Sequence, residues 1–289
     1  MIISPFRSNR MLCWCVLAAI PSGLYSADST ASMDHGVVYI DQNRAAAGSI
    51  TPGDEAGFPV TISQSGSYRL SGNLTVPDLN TTAIQITADF VTLDLNGFSI
   101  VGPAVCTTGT ATTCPAPGTG IGVQAVSDHA PFPRGVRIRN GAVRGMGLMG
   151  ILLQGSGSFV EKVTVDSNAG GGMSVAGTVT ESAATQNGSF GIIASAIRDS
   201  TVLQNSGDGI ILAVNGGVAT GNVSSLNGGF GIALQLGTAT ANTLFFNQAA
   251  GISALCPSSI VGNAVVTNGP AAIETSGEGC ALANNGTRP

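Results

Sequence analysis

The sequence predicts an all-β fold, a single-stranded right-handed parallel β-helix of about nine coils with an N-terminal β cap. Three observations predict it: an internal repeat of about twenty residues, apolar residues at alternate positions within each repeat, and 41 glycines among 289 residues. Charged residues make up only 9% of the chain, and Val and Ile are frequent. This composition excludes a disordered chain, which is rich in charge and poor in β-branched residues.

Each repeat begins at a glycine that precedes an apolar residue. These anchor glycines are separated by 22, 19, 18, 22 and 20 residues, and they are Gly150, Gly172, Gly191, Gly209, Gly231 and Gly251. An asparagine stands four residues before the last five anchors, and one more continues the series: Asn168, Asn187, Asn205, Asn227, Asn247 and Asn268. We expect these asparagines to stack as a structural hydrogen-bonded ladder in the turn. The alternative is a column that lines a sugar-binding groove.

Two further columns of the repeat carry mostly apolar residues. Twelve residues before the anchors stand Val160, Val179, Ile197, Ala219, Ala239 and Ile260, and seven before them stand Val165, Ala184, Val202, Ser224, Leu244 and Val265. The apolar period is two, as in Ile210 and Leu212, which excludes a helix. Because the pattern recurs in one direction, it favours stacked parallel coils over paired hairpins. Glycine is expected to permit the sharp turn, and asparagine to tolerate a left-handed backbone there.

The first residues resemble a secretory signal, which we assign to residues 1–27. Arg7 and Arg10 precede a short apolar run at residues 11–20, and small residues follow at Ser26 and Ala27. That run is too short to span a bilayer comfortably, and no later stretch is long and apolar enough to do so. An uncleaved N-terminal anchor is the alternative interpretation.

The remaining chain divides into four parts. Residues 28–57 are assigned as an N-terminal extension, 58–82 as the cap that shields the open end, 83–285 as the β-helix and 286–289 as a C-terminal tail. Two insertions interrupt the early coils, at residues 103–119 and 127–135.

Four cysteines remain after the signal, which contains Cys13 and Cys15. Cys106 and Cys114 bracket a short loop, and Cys256 and Cys280 lie a little more than one coil apart. Two disulfides, Cys106–Cys114 and Cys256–Cys280, are therefore predicted for an exported chain. A metal site is the alternative, but neither pair has the spacing or the nearby histidine typical of zinc.

The segments VTLDLNGFSIVG (91–102) and VRIRNGAVRG (136–145) resemble the right-handed parallel β-helix repeat proteins of bacteria, which belong to the pectin-lyase-like superfamily. The resemblance covers about residues 58–285. It implies the fold but no single activity, because the superfamily includes lyases, glycosidases, epimerases and adhesins. The Gly-His-Gly segment and paired aspartates of polygalacturonases are missing here. Asp128 and His129 match only fragments of the Asp-Pro-His-Asp motif of alginate epimerases.

The candidate site lies where charge is concentrated, on residues 128–166 beside the second insertion. The weak catalytic candidates are Asp128, His129 and Arg137, with the histidine as a general base. The ligand-binding candidates are Arg134, Arg137, Arg139 and Glu161, whose arginines would neutralise a uronate carboxylate. Alternatively the charges form ordinary surface pairs between adjacent coils, with Arg139 opposite Glu161, Arg144 opposite Asp166 and Lys162 opposite Glu181.

These observations favour an exported, non-catalytic protein that binds a polysaccharide or another cell-surface partner. A lyase, glycosidase or epimerase acting on uronate glycans, or a purely structural envelope or adhesive component, are the alternatives. The net charge of −5 argues against nucleic acid. No cofactor or metal is expected, except calcium if the chain is a lyase. The location is expected to be the periplasm, the cell surface or the exterior, and the oligomeric state is left open.

Overall fold

A computed structural model describes residues 36–108, 112–126, 131–212 and 216–288. The predicted fold class is confirmed, because the described residues form a parallel β-solenoid of ten coils. Each coil has three short strands, which we assign in chain order to faces A, B and C. Every pairing between named strands is parallel and joins a strand to its counterpart in the next coil, as for Ile210 with Ile232.

The strands of the N-terminal part begin before the first coil and run through coil 4. They are β1 (Val37–Ile40), β2 (Val60–Ile62), β3 (Gly66–Leu70), β4 (Leu74–Thr75), β5 (Ile84–Ile86), β6 (Val91–Asp94), β7 (Ser99–Val101), β8 (Ile121–Ala125), β9 (Arg137–Arg144) and β10 (Met149–Asp166). β9 covers faces B and C of coil 3, and β10 covers all three faces of coil 4.

Coils 5 to 10 follow with closely similar lengths. Their strands are β11 (Gly171–Thr180), β12 (Ala183–Thr185), β13 (Ile192–Arg198), β14 (Thr201–Leu203), β15 (Ile210–Leu212), β16 (Gly217–Thr220), β17 (Val223–Ser225), β18 (Ile232–Gln235), β19 (Gly237–Thr240), β20 (Thr243–Phe245), β21 (Ile252–Leu255), β22 (Ser259–Val261), β23 (Ala264–Val266), β24 (Ile273–Ser276), β25 (Ala281–Ala283) and β26 (Gly286–Arg288).

The solenoid begins earlier and ends later than the boundaries drawn from the repeat. Residues 60–75, which we assigned to a cap, already form coil 1, because β2, β3 and β4 pair in register with coil 2. The expected tail contains β26, which pairs with β23. The N-terminal end of the core is covered instead by β1 and the helix α1 (Gln42–Ala47), which begins at the N-cap Asp41.

The interior is built from the columns that the repeat predicted. All twelve residues of the two columns are fully buried, and they are continuous with the isoleucines that follow the anchor glycines. The two columns contain one polar residue, Ser224, whose hydroxyl donates to the Gly231 carbonyl at 2.7 Å. Alternation with a period of two therefore places the core correctly on all three faces.

The predicted asparagine ladder lies at the corner between faces C and A. Each side-chain amide donates to the next side-chain oxygen, for example Asn187 to Asn205 at 2.9 Å and Asn205 to Asn227 at 3.0 Å. Each side-chain oxygen also accepts the backbone N–H of the preceding asparagine, as Asn205 does from Asn187 at 3.1 Å. These side chains are buried except for the partly exposed Asn268, and each is hydrogen-bonded to a neighbouring member of the ladder.

A second ladder runs along the corner between faces B and C, and the repeat analysis missed it. Its members are Ser182, Ser200, Asn222, Asn242, Asn263 and Asn285. Three of its asparagines, Asn222, Asn242 and Asn263, stand five residues before members of the first ladder. That offset could have identified the second ladder from the sequence.

The physical role of the corner residues differs from the expectation. The left-handed backbone belongs to the residue before each ladder member, such as Gln204 (φ 54°) and Leu226 (φ 58°), and the ladder asparagines do not adopt it. The anchor glycines have ordinary φ values too. They are small because a Cβ on Gly191 would lie 2.3 Å from Val202 Cγ1 and 2.9 Å from the Asn205 amide nitrogen.

Candidate functional site

A cluster of charged residues from coils 1 to 4 lies on the outer surface of face B. Register places Arg69, Asp94, Arg139 and Glu161 in one column of alternating charge. The nearly buried Asp94 lies between two arginines, 3.6 Å from the Arg69 guanidinium and 3.2 Å from that of Arg139. It also accepts hydrogen bonds from the Asn96 backbone at 2.9 Å and the Asn140 side chain at 3.2 Å.

Arg137 is held by two partners in the neighbouring coil. Its guanidinium lies 3.4 Å from a Glu161 carboxylate oxygen and stacks 4.6 Å above the centre of the Phe159 ring. Both contacts use the coil that follows Arg137, and together they fix a long side chain that would otherwise be mobile.

Arg134 fastens the second insertion to coil 2. Its backbone N–H donates to the Asp89 carboxylate at 2.8 Å, and its guanidinium lies 3.2 Å from the same group. The backbone hydrogen bond is the main reason why the pKa of Asp89 lies below its ordinary value, and the arginine charge adds to it. Phe90 N–H donates in turn to the Arg134 carbonyl at 2.8 Å.

The structure brings the ligand-binding candidates together but gives each an internal partner. Arg134, Arg137 and Arg139 are paired with Asp89, Glu161 and Asp94 respectively. Arg139 is opposite Glu161 in register, as expected, yet its ion pair is with Asp94. The reason is that Asp94 and Glu161 flank Arg139 from opposite sides, and Arg137 takes the glutamate.

Of the other two expected charge pairs, one is present and one is not. Lys162 and Glu181 approach to 3.7 Å, as the repeat predicted. Arg144 and Asp166 are register partners but form no ion pair in the described part of the chain. Asp166 accepts the Thr185 hydroxyl at 2.8 Å instead.

Two of the catalytic candidates, Asp128 and His129, lie outside the described residues, as does His35. Arg137 is described and engaged as above. Across residues 36–108, 112–126, 131–212 and 216–288, no group of three His, Cys, Asp or Glu side chains is arranged to hold a metal ion.

Both predicted disulfides, Cys106–Cys114 and Cys256–Cys280, are present. The first closes a loop that lies over the ladder corner of coils 4 to 6. There the Thr112 hydroxyl donates to the Gln204 carbonyl, and the Ser206 hydroxyl donates to the Thr112 carbonyl at 2.6 Å. The second disulfide joins coil 9 to coil 10.

An open cleft of about 300 Å³ lies at the corner between faces A and B on coils 4 to 6. The described end of the second insertion, residues 131–135, forms one wall, because Gly135 N–H donates to the Ser156 carbonyl at 3.0 Å. Close packing holds this wall in place, since a Cβ on Gly155 would lie 1.7 Å from the Pro133 carbonyl oxygen.

Among the described residues, the side chains that line the cleft are all neutral. They are Phe132, Leu153, Gln154, Ser174, Val175, Ala176, Ile193, Ala194 and Ser195. Such a surface offers an aromatic ring and aliphatic floor together with an amide and two hydroxyls, which are both donors and acceptors. The insertion was singled out from the sequence as a binding region, but the lining residues were missed, because only the path of the loop brings Phe132 onto coils 4 to 6.

A larger hollow of about 470 Å³ is lined by Ile273, Leu282, Asn285 and their neighbours on coil 10. These residues continue the interior columns of the coils before them, so this hollow is the exposed end of the core and not a groove on a face.

The fold and its surface define a parallel β-helix protein. The family model described as "Right handed beta helix region" matches residues 119–286, more than half of the chain, and the chain belongs to this family. The resemblance noted from the sequence is thus confirmed. No curated protein matches the chain significantly by sequence.

Solved structures share the fold at low identity. The A-module of the mannuronan C-5 epimerase AlgE6 of Azotobacter vinelandii is 15% identical with a TM-score of 0.57, and the match covers 76% of this chain and 67% of that one. The enzymatically active domain of tailspike protein 2 of bacteriophage CBA120 is 15% identical with a TM-score of 0.47, covering 79% and 40%. At these identities the likeness is one of fold. Among the described residues there is no helix with the length and hydropathy of a membrane span.

Proposed function

We propose that this chain is an exported, non-catalytic β-helix protein that binds a polysaccharide in the cleft on coils 4 to 6. The observation that carries the proposal is the contrast between the two surfaces beside the second insertion. Arg134, Arg137 and Arg139 have carboxylate partners within the molecule, whereas among the described residues no polar group of the cleft contacts a charged group.

The chemistry of the cleft matches a neutral sugar. The apolar face of a pyranose ring packs on an aromatic ring such as Phe132, while its hydroxyls exchange hydrogen bonds with Gln154 and Ser195. A volume of about 300 Å³ is at the lower end of the range for ligand pockets, which suits one or two sugar units of a longer chain. The cleft is open, as a polymer that continues past it requires.

Export is supported by the two disulfides, which persist in oxidising compartments. The signal at residues 1–27 lies outside the described residues and stays a prediction. The periplasm, the cell surface and the exterior are all compatible with this proposal.

The test measures retention of the purified protein on a panel of neutral and uronate polysaccharides by affinity electrophoresis. We expect retention on a neutral polysaccharide, and we expect Phe132→Ala to weaken it about tenfold or more through loss of the stacked ring. Leu255→Ala removes another exposed apolar side chain from face A, outside the cleft, and should leave retention unchanged.

Catalysis is tested in the same samples by following unsaturated products, reducing ends and epimerised uronate, with and without calcium. Turnover that disappears in His129→Ala and Arg137→Ala would contradict the non-catalytic proposal and favour a uronate-active enzyme. Binding that Phe132→Ala leaves unchanged would exclude the cleft as the site. Neither turnover nor retention would favour a structural envelope role.

A further inference from the structure

Face C of the solenoid has an unusual arrangement of outward side chains from coil 4 to coil 10. The third strands stack in exact register there, so that each outward position forms a column with one residue per coil. The outer column reads Asp166, Thr185, Leu203, Ser225, Phe245, Val266 and Arg288, and its central residue Ser225 is itself buried. The inner column reads Thr164, Ala183, Thr201, Val223, Thr243, Ala264 and Gly286.

The charged residues and the large apolar residues of coils 6 and 8 in the outer column are complementary to the reversal of the column. Coil 7 is its centre, and a two-fold axis along the coil 7 strand sets coil 4 of one copy opposite coil 10 of the other. Asp166 then faces Arg288 of a second copy at both ends of the column, and Leu203 faces Phe245. Because all coils share one spacing of roughly 4.8 Å, matching one pair brings every other pair into position.

The inner column has the same property. Reversal about coil 7 sets Ala183 opposite Ala264 and Thr201 opposite Thr243, while Val223 faces its own copy. These side chains are small and uncharged, so two flat sheets can approach to roughly the 10 Å separation of packed sheets. A two-fold interface requires this kind of self-complementarity, since one surface must serve as both partners.

The groups at the ends of the outer column are available for such pairing. Arg288 is exposed and forms no ion pair within the described residues. Asp166 forms no ion pair in that part of the chain. Its carboxylate accepts the Thr185 hydroxyl at 2.8 Å and the Ser167 hydroxyl at 3.2 Å, one on each oxygen, and each oxygen retains a further lone pair. Arginine and carboxylate groups form strong, well-directed pairs.

The edge of the face carries exposed apolar side chains beside the same coils. Leu226 and Phe246 follow the strands of coils 7 and 8, and they are 48% and 54% exposed. The disulfide-closed loop reaches the polar Gln204 and Ser206 in coil 6 and leaves these two apolar residues uncovered. They would lie at the rim of the two-fold contact.

We propose that face C binds a second copy of this chain in an antiparallel two-fold dimer centred on coil 7. The cleft at the corner of faces A and B lies on the opposite side of each solenoid and stays open. The dimer does not depend on what the cleft binds.

The test is the mass of the purified protein in solution, measured by sedimentation equilibrium over a range of concentrations. We expect a dimer, and we expect Arg288→Asp or Asp166→Arg alone to raise the dissociation constant about tenfold or more, since like charges then face each other twice. The double variant Asp166→Arg with Arg288→Asp exchanges the charges and should restore the dimer.

A matched control is Arg198→Asp, an exposed arginine on face B without an ion pair in the described residues, which should leave the mass unchanged. Circular dichroism of each variant shows that the solenoid is intact. A monomer at every concentration would overturn the proposal, and so would a dimer that both single charge changes leave unaffected.

Discussion

Buried asparagine side chains form ladders at two corners of the later coils, and Asn205 shows why a ladder member is difficult to replace. Its side-chain oxygen accepts two hydrogen bonds from Asn187, at 2.9 and 3.1 Å, and its amide donates to Asn227 and to the Ala184 carbonyl. Removing it leaves buried donors and an acceptor without partners, and each such group costs about 1–3 kcal/mol.

We therefore expect Asn205→Ala to lower the free energy of unfolding by about 3 kcal/mol, measured by urea denaturation. Asn43→Ala is the matched control, because this asparagine is exposed on α1 and its side chain bridges no coils. An equal loss in both variants would show that the ladder hydrogen bonds add nothing.

At this scale the sequence predicts which residues matter better than it predicts why. The spacing of Asn205 from Gly209 located the ladder, but the glycines suggested a turn where the structure has close packing. A Cβ on Gly209 would lie 2.2 Å from the Ser224 hydroxyl and 2.6 Å from the Asn227 amide nitrogen. Ser224 and Asn227 lie at the far end of the coil that Gly209 begins, so the sequence around the glycine does not reveal this packing.

The contact between Asp89 and Arg134 is one of those that hold the second insertion over the cleft. Asp89 accepts the Arg134 N–H, and its pKa is lowered mainly by that hydrogen bond. A lowered carboxyl pKa means that this contact is fully present above the unfolded pKa of about 3.9 and is lost as the pH falls through the lower folded value.

We expect the Arg134 amide to be protected from hydrogen exchange at pH 6 and to lose protection relative to the core below about pH 4. Asp89→Asn should abolish this pH dependence. Asp78 also has a lowered pKa, caused mainly by hydrogen bonds from Asn80 and Thr81, so Asp78→Asn should leave the Arg134 amide unchanged. Equal protection at both pH values would show that Asp89 does not hold the insertion.

Strands and insertions differ in how far the sequence predicts them. The alternation of apolar residues located the strands of coils 4 to 10, and the register then placed Arg139 beside Glu161. The register did not predict that Arg139 pairs with Asp94. A stacked strand has a neighbour on either side, and which carboxylate the arginine pairs with depends on the conformations of the side chains. The cleft was missed because it depends on where the insertion places Phe132, and the path of an insertion cannot be predicted from the repeat.

The last coil is the least buried part of the solenoid. Ile273 is only partly buried, and Leu282 is 52% exposed although it continues a column that is fully buried up to Ile260. The disulfide between Cys256 and Cys280 ties this coil to its neighbour. Closing a loop of this length stabilises a fold by about 3 kcal/mol in the chain-entropy description.

We expect the double variant Cys256→Ser with Cys280→Ser to speed hydrogen exchange throughout residues 273–288 while coils 4 to 8 remain protected. Removing Cys106 and Cys114 in the same way should affect residues 103–119 alone, because that bridge closes a loop within one insertion. Unchanged exchange in residues 273–288 would mean that strand pairing alone holds the last coil.

For the whole molecule, the sequence predicted nine coils over residues 83–285 and missed the one before them. Coil 1 has neither an anchor glycine nor a ladder asparagine, and its strands join the stack through Val60, Tyr68 and Leu74. Parallel pairing requires only apolar residues at the right positions. The glycine and asparagine of the repeat identify those coils in which a glycine packs against a ladder amide at the corner.

The contact between an anchor glycine and a ladder amide also bears on how such a chain can change in length. Gly191, Gly209 and Gly231 meet the same groups in the same geometry, each at a different coil. A gene segment encoding one coil, copied as a unit, therefore adds a coil whose glycine meets the same kind of asparagine amide and glycine carbonyl as in the coils beside it. Growth of the protein by tandem duplication preserves this corner contact, and both insertions occur at corners between strands.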